Sequence, residues 1–408
     1  MEEMMIEPNP PQEKSNGGNK FLTAIIIILV AIFAFGIGIF SGILVNNSGT
    51  AIQNGKSYGQ DLSQYKLLNE VIENAKNYYI KPLTEEDLSK SVLLGLDPYS
   101  VYFNAKEYQA FTEQTTGEYS GIGVIIQLDD NKRSIRVAQV FSPSPANDAG
   151  VQEGWIIHAI NDEVLSTTDL EIVSSKIRGE IGTKVKIDFL SDGKTIQKTI
   201  TRAKVEINSV SYKMIGNDVG YIYLSSFMTN SAQEMREAIN NLELKGAKKF
   251  ILDIRRDGGG LLKTCQDIGN IFIKSGVLVT VEDRNKVKRN LECAGPGFDY
   301  PLVLLVDKYS ASASEILAGA LQDHKIATLI GARTYGKGLV QNVIPMSNGG
   351  AMKITVQQYM RPSGKPVDYI GITPDIEVNI DENKPLPKDY KQDQAIMKAL
   401  EVLGGKGE

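Results

Sequence analysis

Residues 21–45, FLTAIIIILVAIFAFGIGIFSGILV, contain no charged side chain. A run of this kind has to leave water as a unit. As a helix it would be roughly 37 Å long at about 1.5 Å per residue, enough to cross a bilayer with some tilt. A cleaved secretory signal has a shorter apolar region ending in an A-x-A-like site. No such site follows this run, so it reads as a retained transmembrane anchor. Lys14 and Lys20 precede it, and only Lys56 falls in residues 46–58. That asymmetry favours an N-terminus inside and the bulk of the chain outside the cell membrane, as a single-pass protein.

The rest of the 408 residues divide by pattern. Residues 1–20 are polar and rich in Pro, Gly and Asn, a cytoplasmic tail; 46–60 read as a linker. Residues 61–116 form an N-terminal helical region, with Leu67, Leu68, Val71, Ile72 and Ala75 on one stripe. Residues 117–203 change to short strands with one helix near 169–177. From 204 to 380 strands and helices alternate, which predicts an α/β body with a largely parallel sheet and flanking helices. Residues 381–408 end the chain as a helical segment over 388–403. The net charge of −5 gives no electrostatic basis for nucleic-acid binding. Cys265 and Cys293 are the only cysteines. A disulfide is open to them outside the cytoplasm, but Cys265 lies on the apolar stripe of a helix and reads as a small core residue.

Chemistry gathers beyond the carboxyl ends of strands in open α/β sheets. Strand 249–254 runs into Arg255-Arg256-Asp257-Gly258-Gly259-Gly260, and strand 302–306 runs into Ser310-Ala311-Ser312-Ala313-Ser314 at a helix start. Glycines let backbone N–H groups face a ligand, and a helix N-terminus favours developing negative charge. With Ser312 as the attacking group, an oxyanion would lie between the N–H groups of Gly259 and Ala313. A hydroxyl needs a base. The chain has only two histidines. His158 sits in a strand and reads as core, and His324 is a helix length from Ser312. Lys337, in Gly336-Lys337-Gly338-Leu339-Val340-Gln341, is a candidate base if burial lowers its pKa, with Gln341 placed to orient the amine. Each of these signals alone is more often a simple turn or cap, and the three serines of the run remain alternatives on local pattern alone. No metal or cofactor site is expected.

Two resemblances add to this. Residues 117–203 resemble a PDZ domain with a permuted strand order, inserted before the body. Gly121-Ile122-Gly123-Val124 stands at its carboxylate-binding loop, where a peptide C-terminus with an apolar last residue would add as a strand. From about residue 65 onward the chain resembles the C-terminal processing peptidases of the Ser–Lys type. The matching pieces run in order: Leu96-Asp97-Pro98-Tyr99-Ser100, Tyr119-Ser120-Gly121-Ile122-Gly123-Val124, Asp253-Ile254-Arg255-Arg256-Asp257-Gly258-Gly259-Gly260, the serine helix, Gly336-Lys337-Gly338-Leu339-Val340-Gln341, and Gly371-Ile372-Thr373-Pro374-Asp375. The resemblance implies nucleophile Ser312, general base Lys337, support from Gln341, and protein or peptide substrates. It also implies an Arg178 suited to contact the protease body, and dimerisation through the 62–94 and 388–403 helices. A membrane-tethered PDZ adaptor without activity is the alternative. The chain departs from the family pattern in three places, one of them a helix before Tyr99 that is shorter than usual. Asp257-Gly258-Gly259-Gly260 replaces an Asn-Pro-Gly-Gly loop. Tyr99 replaces a histidine, at a position expected not to touch the catalytic set.

Overall fold

A computed structural model describes residues 38–39, 66–78, 82–129, 133–380, 385–387 and 389–404. The tail, the linker and nearly all of the 21–45 run lie outside the described residues. Within that run only β1 (Gly38–Ile39) is described, and it is a short strand parallel to Gly260–Leu261 rather than helix. Among the described residues no helix is long and apolar enough to cross a membrane.

Helices α1 (Lys66–Tyr78) and α2 (Glu85–Leu94) lead to β2 (Val101–Phe103) and α3 (Ala105–Thr116). Asn104 caps α3 through the N–H of Glu107, and Gly117 closes it at φ 73°, a left-handed position suited to glycine. The next unit comprises β3 (Glu118–Gly121), β4 (Val124–Leu128), β5 (Ile135–Val140), α4 (Pro145–Asp148), β6 (Ile156–Ile160), β7 (Glu163–Val164), α5 (Leu170–Ile177), β8 (Lys184–Ser191), β9 (Lys194–Thr201) and β10 (Ala203–Glu206). Its sheet runs β4-β5-β6-β8-β9, and β10 pairs antiparallel with β3 where the chain enters and leaves. Ile135, Val137, Ile157, Val173, Val185, Ile187 and Phe189 fill its own core. His158 is exposed on this sheet, which corrects its reading as core; it alternates with the inward Ile157 and Ala159.

The body follows with β11 (Val210–Ile215), β12 (Val219–Leu224), α6 (Ser231–Leu244), β13 (Lys249–Asp253), β14 (Gly260–Leu261), α7 (Leu262–Phe272), β15 (Ser275–Asp283), β16 (Lys288–Ala294), β17 (Leu302–Val306), α8 (Ala313–Asp323), β18 (Ala327–Gly331), β19 (Leu339–Pro345), β20 (Ala351–Met360), β21 (Ile376–Glu377) and α9 (Gln394–Val402). The main sheet is ordered β11-β12-β13-β17-β18-β21 and is parallel from β12 onward. All five residues of β17, Leu-Val-Leu-Leu-Val, are buried, as a strand covered on both faces requires. Phe250, Leu252, Leu302 and Leu304 meet the α6, α7 and α8 side. Ile251, Val303 and Leu305 meet α9 on the other face.

Two expectations need correction. The strands at 277–282, 339–345 and 351–359 are not part of the parallel sheet. They build a second, antiparallel sheet ordered β16-β15-β20-β19, with β2 added at β20. Short links join β15 to β16 and β19 to β20, and antiparallel pairing is what short links permit. The C-terminal helix does not offer its apolar face for dimerisation. Ala395, Ile396, Ala399 and Leu400 are buried against the chain's own sheet. Helix α1 does leave Leu67 and Val71 exposed.

Candidate active site

Strands β13 and β17 are parallel neighbours, with Ile251 opposite Val303, so the loops that follow them leave from one sheet edge. The first loop is anchored by the buried Arg255. Its guanidinium binds Asp253 at 2.6 Å and Asp393, the cap of α9, at 2.8 Å. The two loops are then stitched together. Ala311 N–H donates to the Asp257 carbonyl at 3.0 Å, Ser310 Oγ to the Ile254 carbonyl at 2.9 Å, and Ser314 Oγ to the Asp257 carbonyl at 2.9 Å. Two of the three serine hydroxyls are therefore committed to holding the loops. Ser312 is the one not used in this stitching. It sits at φ 57°, ψ −114°, a conformation that a side-chain-bearing residue keeps only when its surroundings impose it. Gly259 presses against it: a Cβ there would lie 2.9 Å from Ser312 Cβ and 2.7 Å from the Ala311 carbonyl.

Glu315, on the first turn of α8, ties the serine to the lysine. Its carboxylate accepts from the N–H groups of Ser312 (2.9 Å), Gly336 (2.7 Å) and Lys337 (2.8 Å) and from Thr334 Oγ1 (2.6 Å). It is fully buried, and burial pushes its pKa up against the pull of those four bonds. The Tyr359 hydroxyl reaches the carbonyls of both Ser312 (3.2 Å) and Lys337. Ser312 and Lys337 thus belong to one buried assembly, though they lie 25 positions apart with α8 and β18 between them.

Within this assembly the Lys337 amine makes no hydrogen bond to Ser312. Lys337 is 1% exposed, and its Nζ has no hydrogen-bond partner. It lies 4.8 Å from the centre of the Tyr99 ring. Burial, and after it the nearby Lys353 cation, lowers the amine's pKa to about 7, with Glu315 and Asp97 acting in the other direction. Gln341 does not meet the amine. Its Oε1 is buried without a partner, and its Nε2 donates to Thr355 Oγ1 at 3.1 Å. The Gly259 N–H is taken by Asp257 Oδ1 at 2.8 Å. The cavity at Ser312, lined by Ala313, Leu339 and Tyr359, is about 10 Å³, too small for a peptide group. The arrangement is a closed one.

Two substituted positions gain roles here. Tyr99, expected to stay clear of the catalytic set, is in contact with its lysine; the turn that carries it folds under the Lys337 loop from almost 240 residues away in sequence. Asp257 is fully buried, and burial pushes its carboxyl well above the ordinary value. That favours the neutral acid, close in shape and charge to the asparagine it replaces. Glu315 was missed in the sequence, although Ser312-x-x-Glu315 is the pattern of a capping box.

A second cavity of about 580 Å³ opens between the two units. One wall is Gly121 to Ile126 with Ile177 and Arg178, and the other is Ser225, Ser226 and Met228 of the body. Ser226 Oγ donates to the Gly259 carbonyl at 2.9 Å, so this wall continues into the glycine loop. Ile122 is itself buried. Arg178 pairs with Glu113 of α3 at 2.7 Å and lies 5.4 Å from the Tyr119 ring centre, so its partner is the N-terminal helical region rather than residues 204–380. Cys265 and Cys293 are both buried thiols, not a disulfide. Among the described residues no group of His, Cys, Asp and Glu is arranged to hold a metal.

The family profile described as Peptidase family S41 matches residues 218–378. The chain is 31% identical to a carboxy-terminal-processing protease of Bartonella bacilliformis, over 92% of this chain and 87% of that protein. It is 34% identical to a carboxyl-terminal-processing protease of Synechocystis sp., over 74% of this chain and 73% of that one. A solved structure described as a photosystem II D1 C-terminal processing protease shares 26% identity, with a TM-score of 0.47, 83% of this chain and 91% of that chain covered. The chain belongs to the carboxy-terminal-processing proteases of peptidase family S41 and is a serine-type peptidase.

Proposed function

We propose that the protein is a membrane-anchored endopeptidase, acting outside the cytoplasm, that hydrolyses peptide bonds by a Ser–Lys mechanism through an acyl-enzyme. The observation that carries the mechanism is Lys337: a fully buried amine, lowered to about 7, on a loop whose backbone shares the Glu315 carboxylate with Ser312. A neutral amine of that basicity can take the Ser312 proton near neutral pH. Oγ then attacks the substrate carbonyl. The oxyanion is met by the N–H groups of Gly259, once freed from Asp257, and of Ala313. The Lys337 ammonium gives its proton to the leaving amine. The neutral amine then activates the water that releases the acyl group from Ser312. Gln341 Oε1, buried and unpartnered, is available to orient the ammonium. No cofactor takes part.

The 117–203 unit supplies substrate choice in this reading, as a PDZ domain. Its Gly121–Val124 loop and α5 border the large cavity, and a C-terminal strand with an apolar last residue suits that groove. The anchor rests on the uncharged 21–45 run, and dimerisation through the exposed stripe of α1 is a further part of the proposal.

Covalent labelling by a fluorophosphonate tests the mechanism and separates it from the inactive adaptor, which a closed site also suits. Ser312 should be modified, and the second-order rate should rise with pH through an apparent pKa of about 7, because only the deprotonated amine acts as base. An absence of labelling at every pH, with binding of C-terminal peptides retained, would favour the adaptor.

A further inference from the structure

Lys337 Nζ is buried without a hydrogen-bond partner, yet it is not without a neighbour. The Tyr99 ring faces it at 4.8 Å, inside the range in which a ring's negative face attracts a cation. Ring attraction acts on the ammonium and not on the amine. It therefore favours the charged form and draws it toward Tyr99.

The ring is held firmly. Asp97 Oδ1 accepts the N–H groups of Tyr99 (2.8 Å) and Ser100 (2.9 Å), and Asp97 Oδ2 accepts Ser100 Oγ (2.8 Å). Ser100 Oγ in turn accepts Thr355 N–H at 3.2 Å, and Thr355 Oγ1 is the group that occupies Gln341 Nε2. The Tyr99 hydroxyl faces Tyr335, two residues before Lys337. One connected set of contacts thus fixes the ring, the strand that occupies Gln341, and the loop carrying the lysine.

We propose that Tyr99 is a positioning residue for Lys337: its ring parks the lysine side chain away from Ser312 and Gln341, and the side chain must leave the ring before it serves as base. This rests on the Ser–Lys reading above. The other charged groups facing the amine are Lys353 on β20, Glu315 on α8 and Asp97 in the turn itself. None of them is altered by a change at Tyr99 that keeps its shape.

The test uses the full-length protein and the rate of Ser312 labelling by a fluorophosphonate as a function of pH. Tyr99→Phe is the reference. Phenylalanines carrying increasing numbers of ring fluorines are then placed at position 99, which weakens the ring's attraction for a cation while nearly preserving its shape. Tyr99→Leu removes the ring. Each loss of ring attraction should move the rising limb to lower pH, by roughly half to one unit in total. Labelling below the limb should become about 3- to 10-fold faster by the same shift. The fluorinated series keeps the test valid if the leucine variant does not fold. A limb that stays fixed across the fluorinated series, in a protein whose Lys337→Ala variant is not labelled, overturns the role of Tyr99. Undiminished labelling of Lys337→Ala overturns the Ser–Lys reading itself.

Discussion

Lys337→Ala should lower peptide hydrolysis by about 10⁴-fold or more while leaving a folded and more stable protein. The loss is large because the two histidines and Glu315 are not placed to replace the amine. His158 is exposed on the other unit. His324 lies at the far end of α8, bonded to the Val277 carbonyl at 2.8 Å. Glu315 is already the acceptor of four hydrogen bonds. Lys337→Arg should be as inactive as alanine, since a guanidinium does not give up its proton. The gain in stability follows from the lowered pKa. An amine held at about 7 when folded and 10.5 when unfolded binds protons preferentially in the unfolded chain. Its destabilising effect therefore grows as pH falls from near 10.5 to about 7 and is constant below that. Lys337→Met should remove it, raising stability at neutral pH by on the order of a few kcal/mol. Hydrolysis of a casein substrate and thermal unfolding, measured on the same preparations, check both signs. Wild-type activity with alanine at 337, or a lowered melting temperature with methionine, contradicts the assignment.

Glu315→Ala should be the most damaging change that leaves Ser312 and Lys337 in place. It strips the acceptor from the N–H groups of Ser312, Gly336 and Lys337 in a fully buried position. Each orphaned group costs about 1–3 kcal/mol, so a loss of roughly 4 kcal/mol or more is expected. Activity should fall below detection even under conditions where the variant folds, because the strained Ser312 and the Lys337 loop lose their shared tether. Glu315→Gln keeps the volume and one acceptor oxygen, but turns an NH₂ toward groups that are themselves donors. It should fall between wild type and alanine in stability and lose most activity. Denaturant unfolding together with Ser312 labelling distinguishes the two effects. A glutamine variant with wild-type stability and labelling would show that the tether is dispensable.

The parts of this molecule legible in sequence were those written locally. The β17 run of five apolar residues, the serine helix and the glycine loop each announce themselves within a dozen residues, and parallel neighbours then bring the two loops to one edge. What was not legible depended on distant partners. Strands β15, β19 and β20 look like the others in isolation, and only their pairing places them in a second sheet. Helix α3 falls in the region read as helical, but with few apolar residues it has no periodic stripe to set its bounds, and the Asn104–Glu107 capping box is its plainest signal. Strand β16, with one buried residue in Lys288–Ala294, is set by its pairing with β15 rather than by its own pattern. The contact of Tyr99 with Lys337 spans most of the chain and could not be read from either segment. The expected bond from Gln341 to the lysine is not formed: Gln341 Nε2 donates to Thr355 Oγ1, and the Lys337 amine has no hydrogen-bond partner.

Rapid acid quenching of the full-length enzyme with a peptide ester substrate, followed by mass spectrometric mapping of the acylated residue, addresses the central claim most directly. The Ser–Lys mechanism requires an acyl adduct on Ser312 that forms in the wild type and is absent from Lys337→Ala. Turnover with no adduct on Ser312, or an adduct that accumulates equally without the lysine, would contradict it.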